Sequence, residues 1–116
     1  MAHPVMWFEV LGADATADAL SLAREALIDR RKLRLTYANA KGDGTERTVR
    51  PLGIFFWGRT WTLAAWCELR EDFRHFRLDR VSRSSMLDAV FEEEQGKTLR
   101  DLLTKYGPEA VRLLDA

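Results

Sequence analysis

Apolar residues along this chain keep two rhythms, helical at both ends and strand-like between them. Over residues 16–30, Leu20, Ala23 and Leu27 recur at helical spacing, and Ala19 and Ala26 widen them into one stripe. Thr16 is placed to cap this helix and Asp18 to meet the positive end of its dipole. Arg30, Arg31 and Lys32 would close it with favourable charge.

From Leu33 the period drops to two. Leu33, Leu35 and Tyr37 alternate with Lys32, Arg34 and Thr36, the pattern of a half-buried strand. Residues 39–44 (NAKGDG) predict a turn, with Asp43-Gly44 at the positive-φ position. A second strand follows over 46–56, bent or bulged where Pro51 cannot donate to a ladder and Gly53 weakens it. Trp57-Gly58-Arg59 predicts a tight turn into a third strand over 60–67. The polar stretch 68–72 then connects to a fourth strand over 73–81.

That fourth stretch, FRHFRLDRVSR (73–83), spaces Arg74, Arg77, Arg80 and Arg83 three apart, which first suggests a basic helix face. Its position after three short strands, its aromatic content and its lack of Ala and helix caps favour a strand instead. Alternation then puts Arg74, Phe76, Leu78 and Arg80 on one face, and Phe73, His75, Arg77, Asp79 and Val81 on the other.

After Ser82, Ser84 and Ser85, residues 86–91 predict a further short strand. Thr98-Leu99-Arg100-Asp101 resembles a capping box, followed by an apolar stripe of Leu99, Leu102, Leu103 and Tyr106. Gly107 stops this helix, and Pro108 opens a second short one ending near Leu114. The expected class is α+β: an N-terminal helix, a five-stranded antiparallel sheet curled into a small barrel, and C-terminal helices. The expected organisation is a leading segment (1–15), a domain (16–91) and an acidic linker with a helical tail (92–116).

At 116 residues the chain is one domain, with 47% hydrophobic and 31% charged residues. The start, MAHPVMWFEV, lacks the basic and long apolar regions of a signal peptide, with His3 in a mobile terminus. Cytoplasmic residence without membrane contact is the expectation. The single cysteine, Cys67, excludes an internal disulfide and reads as a small buried hydrophobe.

The net charge of zero conceals an asymmetry. Residues 24–83 hold 14 Lys/Arg against 8 Asp/Glu, while the ends hold 4 against 10, including Glu92, Glu93 and Glu94. A basic middle suits an anionic partner.

Three blocks in order, LIDRRKLRLTY, ERTVRPLG and GRTWTLAAWCELREDFRHFRLDRV, resemble the WYL domain of bacterial helix-turn-helix transcription regulators. The resemblance covers residues 20–83, and residues 1–15 contain no recognition helix. It implies an Sm-like, SH3-type barrel that senses a nucleotide or single-stranded nucleic acid. It also implies a DNA-binding domain in a longer chain or partner, and a homodimer. The name-giving tripeptide Trp-Tyr-Leu reads Trp61-Thr62-Leu63 here, so the aromatic ring between Trp and Leu is replaced by a small hydroxyl.

Catalytic chemistry is sparse. There are two histidines, no Ser-His-Asp spacing, no phosphate loop and no H-x-x-x-H pair, so neither an enzyme nor a cofactor or metal is expected. Arginines with aromatic neighbours suit phosphates by bidentate bonds and bases by stacking. The candidate contacts are Tyr37, Arg47, Thr62, Arg74, His75, Arg77 and Arg80. Each has a structural alternative: Tyr37 as core, Arg80 as a tie between strand end and loop. Trp57, Trp61, Trp66 and Phe73 are assigned to packing. The competing function is a dimerisation module whose arginines pair with the acids at 92–94 of a neighbour.

Overall fold

The computed structural model describes residues 4–38, 41–57 and 59–110. The order is α1 (Pro4–Asp29), β1 (Arg31–Ala38), β2 (Gly44–Trp57), β3 (Thr60–Cys67) and β4 (Asp72–Arg77). One turn of 3-10 helix (Leu78–Arg80), β5 (Val81–Val90) and α2 (Leu99–Thr104) complete it. The terminus around His3, expected to be mobile, the turn residues Asn39, Ala40 and Gly58, the Trp57 side chain and the expected helix end near Leu114 lie outside the described residues.

The first helix begins twelve residues earlier than its apolar stripe predicts. Pro4 suits a first helical turn, where its missing N–H is unneeded, and no further proline occurs before Pro51. Thr16 and Asp18 are therefore interior residues rather than cap and first-turn acid. Against the sheet the helix lays Ala19, Ala23 and Ala26, all buried, with Leu20 and Leu22 packed alongside. Small side chains at the contact let the helix sit close, so the alanines rather than the leucines form its centre.

The helix ends at Asp29 because Arg30 turns into the left-handed region at φ 53°. Its carbonyl accepts from Phe91 N–H at 2.8 Å. Arg31 and Lys32 thus leave the helix for β1. Arg31 Nε donates to the Leu87 carbonyl at 2.7 Å, and Lys32 pairs with Glu68 at 2.7 Å.

The five strands form one antiparallel sheet in the order β4-β3-β2-β1-β5. Four strand spacings separate its edges by about 19 Å if flat. Yet β4 and β5 are joined by a three-residue 3-10 turn, which advances only about 6 Å. The sheet must therefore curl until its ends meet. Tyr37 on β1 and Phe76 on β4 touch edge-to-face across the curl at 5.1 Å, and Arg77 N–H reaches the Tyr37 hydroxyl at 3.4 Å. No ladder joins β4 to β5, so the expected barrel is an open curled sheet.

Pro51 and Gly53 bracket a register shift between β2 and β3. At Gly53 a Cβ would lie 3.1 Å from the Phe55 ring, a contact tight enough that the ring would have to shift for any larger residue. In the preceding turn the positive φ (86°) falls at Gly42, while Gly44 is already extended strand, moving the predicted turn residue by two.

The predicted 73–81 strand is cut at Arg77 by the 3-10 turn, and β5 runs unbroken through the serines. Leu78 is buried inside that turn, which swings the chain from one sheet edge to the other.

Apolar residues bury on both sides of the sheet. The inner core gathers Leu33, Leu35, Val49, Leu63, Phe76, Leu78 and Cys67 under α1. A smaller outer core places Ala64 and Phe73 under Leu102 of α2, with Trp66, Leu52, Phe55 and Leu99 around them. Burial on two faces explains the continuous apolar run of β3, which shows no alternation. Trp61 departs from its packing assignment. It is 39% exposed at the sheet rim, tilted against Phe56, itself 53% exposed, at 4.8 Å.

The capping box forms as predicted. Thr98 Oγ1 accepts from Asp101 N–H at 3.1 Å, and Asp101 accepts from Thr98 N–H at 3.0 Å and Gly96 N–H at 2.8 Å. Hydrogen bonds from the Thr98 side chain and backbone hold the Asp101 carboxyl below its usual range. Thr98→Ala is expected to cost about 1 kcal/mol, read as a lower urea midpoint at unchanged m.

Candidate functional site

The outer sheet face and α2 enclose a groove of about 510 Å³. Its floor is Phe55 of β2 and Thr62 of β3, with His75 and Arg77 of β4 beside them. Leu102, Leu103 and Tyr106 wall it from the helical side, and Ala110 closes one end. Thr62 stands opposite Arg77 in the β3–β4 register, and Ala64 opposite His75, so strand pairing sets these side chains on one face. The capping box and the apolar stripe of α2 supply the wall.

Cations hold that wall in place. Lys97 sits over the Trp66 ring at 5.1 Å, and Lys105 over Phe73 at 5.0 Å and 3.6 Å from Asp72. Upstream, Arg50 bonds both Glu68 (3.1 Å) and Glu94 (3.4 Å), tying the acidic linker to β2. The glutamate run is thus partly an intramolecular anchor, since Arg30 also lies 3.8 Å from Glu93.

Thr62 is 8% exposed and fills little of the groove. The Tyr106 hydroxyl lies 3.0 Å from His75 Nε2. Burial lowers the His75 pKa below 6.5, so the imidazole is neutral at pH 7 and gains charge only at more acidic pH than an open histidine. Arg77 is bidentate with Asp79, through Nε at 3.1 Å and Nη2 at 2.7 Å. This pair raises the Arg77 pKa and lowers that of Asp79. Asp79 is therefore engaged by Arg77, with Arg80 adding a weaker attraction.

Three candidate contacts, Thr62, His75 and Arg77, share the groove. Tyr37 touches Arg77 N–H from the inner core and lies half-buried. Arg47 belongs to the inner rim, donating to Thr45 Oγ1 at 3.2 Å and Cys67 Sγ at 3.5 Å. Arg74 points to the opposite face from His75, donating to the Phe73 carbonyl and lying 3.6 Å from Asp72. Arg80 ends the 3-10 turn, so the strand alternation that would align it with Arg74 is broken. The arginines thus do not form one cluster.

Phe55 and Tyr106 were missed as site residues. Phe55 lies in the aromatic run Phe55-Phe56-Trp57 and Tyr106 follows the leucines of α2, but their meeting depends on α2 crossing the sheet. Chemically the groove offers an apolar, ring-lined slot with two hydroxyls (Thr62 and Tyr106), an imidazole and a guanidinium already matched by an acid. That set favours a flat ring over a bare anion.

The family profile described as WYL domain matches residues 18–86, more than half of the chain. The structure of Proteasome accessory factor B/C (PafBC) of Arthrobacter aurescens is similar, with a TM-score of 0.63 and 33% identity. That match covers 66% of this chain and 12% of the PafBC chain, so this chain corresponds to a small part of that protein. Among the described residues no helix is long and apolar enough to cross a membrane. The inner-core helix, the curled five-stranded sheet and the three sequence blocks agree with these matches, and the chain belongs to the WYL domain family.

Proposed function

We propose that this domain is the effector-sensing unit of a cytoplasmic bacterial transcription regulator, and that a base of a nucleotide or single-stranded nucleic acid enters the groove. The convergence of Thr62, His75 and Arg77 with the Phe55 and Tyr106 rings carries this reading. With Thr in place of the family's Tyr, the space over β3 is open to a ligand ring. The base stacks on Tyr106 or Phe55, and His75 offers its ring nitrogens to a base edge. Binding would shift α2 against the sheet and so reach a DNA-binding domain in a longer chain or partner.

Fluorescence anisotropy with labelled oligo-dT and dinucleotides at low salt tests this. Tyr106→Ala is expected to weaken binding about tenfold, from a stacking contribution of about 1–3 kcal/mol per base. Absence of any binding by the unaltered protein at low salt would overturn the reading.

The exposed Phe56–Trp61 pair favours a second, compatible reading, a homodimer contact at the sheet rim. Sedimentation of Trp61→Ala distinguishes them: loss of dimer with oligonucleotide affinity intact assigns this rim to self-association alone.

A further inference from the structure

The groove accounts for a base but poorly for a phosphate chain, because Arg77 is neutralised by Asp79. The half of the outer face left uncovered by α2 holds different chemistry. There β1, flanked by β2 and β5, presents Arg34 and Thr36 away from the inner core. Arg34 is opposite Ser85 of β5 and Thr48 of β2, and Thr36 is opposite Arg83 and Glu46.

Arg34 and Arg83 are therefore diagonal neighbours on one face, about 7–8 Å apart. Both are exposed, and neither side chain has a hydrogen bond or ion pair among the described residues. Together with Thr36, Ser85 and Glu46 they line a shallow concavity of about 320 Å³.

This differs from the other basic side chains of that face. Lys32 and Arg50 there share Glu68. Neighbouring like charges on a sheet repel, and here no ion pair relieves them, Glu46 included. An oxyanion would relieve the repulsion, and two planar guanidiniums beside hydroxyl donors match its oxygens by paired hydrogen bonds. The β1–β5 ladder fixes their spacing, unlike arginines on loops.

We propose that Arg34 and Arg83, with the Thr36 and Ser85 hydroxyls, form a phosphate-binding patch that takes the backbone of a single-stranded nucleic acid. This patch rests on the effector reading for its nucleic-acid ligand, and on the sheet geometry alone for its phosphate chemistry. The two sites divide the work, a base in the groove and phosphodiester on the open half of the same face.

The test measures oligo-dT ten-mer binding across a salt series for the unaltered protein and the double variant Arg34→Gln/Arg83→Gln. A parallel titration with inorganic tripolyphosphate follows the arginine Nε–Hε signals by NMR. The expected result is a log–log salt slope shallower by about 1.4 in the variant, two contacts at about 0.7 each for single strands. Glu46→Gln should tighten binding by removing the one acid of the patch.

An unchanged slope with intact oligonucleotide binding overturns the patch and leaves the groove reading standing. If the oligonucleotide fails to bind but tripolyphosphate shifts the Arg34 and Arg83 signals, the patch holds as a phosphate site and the effector reading falls. If neither ligand is seen at these arginines, the patch is overturned.

Discussion

Leu33→Ala is expected to lower the stability of this domain by about 2–5 kcal/mol, against a total of roughly 5–15 for an ordinary domain. Leu33 is fully buried on β1, the strand flanked by β2 and β5, with Val49 and Met86 as its cross-strand neighbours. Above it the alanines of α1 close the inner core. A strand bonded on both sides cannot shift to fill the space left by three lost carbons, so the cavity persists and its cost adds to the lost transfer energy. Urea unfolding measures the effect directly. The control is Leu69→Ala on the exposed β3–β4 turn, 65% exposed, which should change stability by less than about 0.5 kcal/mol. A Leu33→Ala loss below about 1 kcal/mol would contradict the assigned core.

Glu68→Gln is the second large effect, expected to cost about 1–3 kcal/mol at neutral pH. Its carboxylate receives Lys32 at 2.7 Å and Arg50 at 3.1 Å, and both cationic side chains are mostly shielded, at 22% and 18% exposure. Gln keeps the shape but leaves two adjacent cations without their shared anion. Arg50 then retains only Glu94, at 3.4 Å, and the tie from β2 to the acidic linker weakens.

The pH dependence has a definite sign. Burial pushes the Glu68 carboxyl up, while the hydrogen bonds and charges of Lys32 and Arg50 pull it down further, leaving it below 4.5. A depressed folded-state pKa gives stability that is fully present above the unfolded value near 4.5 and is lost as pH falls through the folded value. The gap between the unaltered protein and Glu68→Gln should therefore be widest above pH 4.5 and close in stronger acid. A gap that persists unchanged into strong acid would show that the charge is not its source. Because the linker leads into α2, amide exchange along α2 should also quicken in the variant.

Much of the scaffold was legible locally. The limits of β3, the bulge between Pro51 and Gly53 and the Thr98–Asp101 capping box follow from residue types acting on their own backbone. The inner-facing alternation of Leu33 and Leu35 came from period two. The start of α1 and the end of β4 did not. Pro4 permits a helix that its apolar stripe does not require, and Leu78 leaves the strand only because the chain must cross between sheet edges.

The candidate site was legible by half. Thr62 was marked by its place in the family tripeptide, and His75 and Arg77 by strand alternation, and these three do meet. Arg47, Arg74 and Arg80 do not join them, because strand alternation turns Arg47 and Arg74 to the other face and the 3-10 turn redirects Arg80. Tyr106 read as part of a helix stripe, since nothing local says which surface that stripe will cover.

The sequence by itself determined the strand periods, the bulge in β2, the Thr98–Asp101 capping box and the family, while the start of α1 lay beyond it. Which arginines are neutralised, which stay unpaired, and which rings share a groove was decided only by tertiary structure. Arg34 and Arg83, like Phe55 and Tyr106, are about fifty residues apart, and only non-local packing brings such positions within reach: a β1–β5 ladder for the first pair and a docked helix for the second.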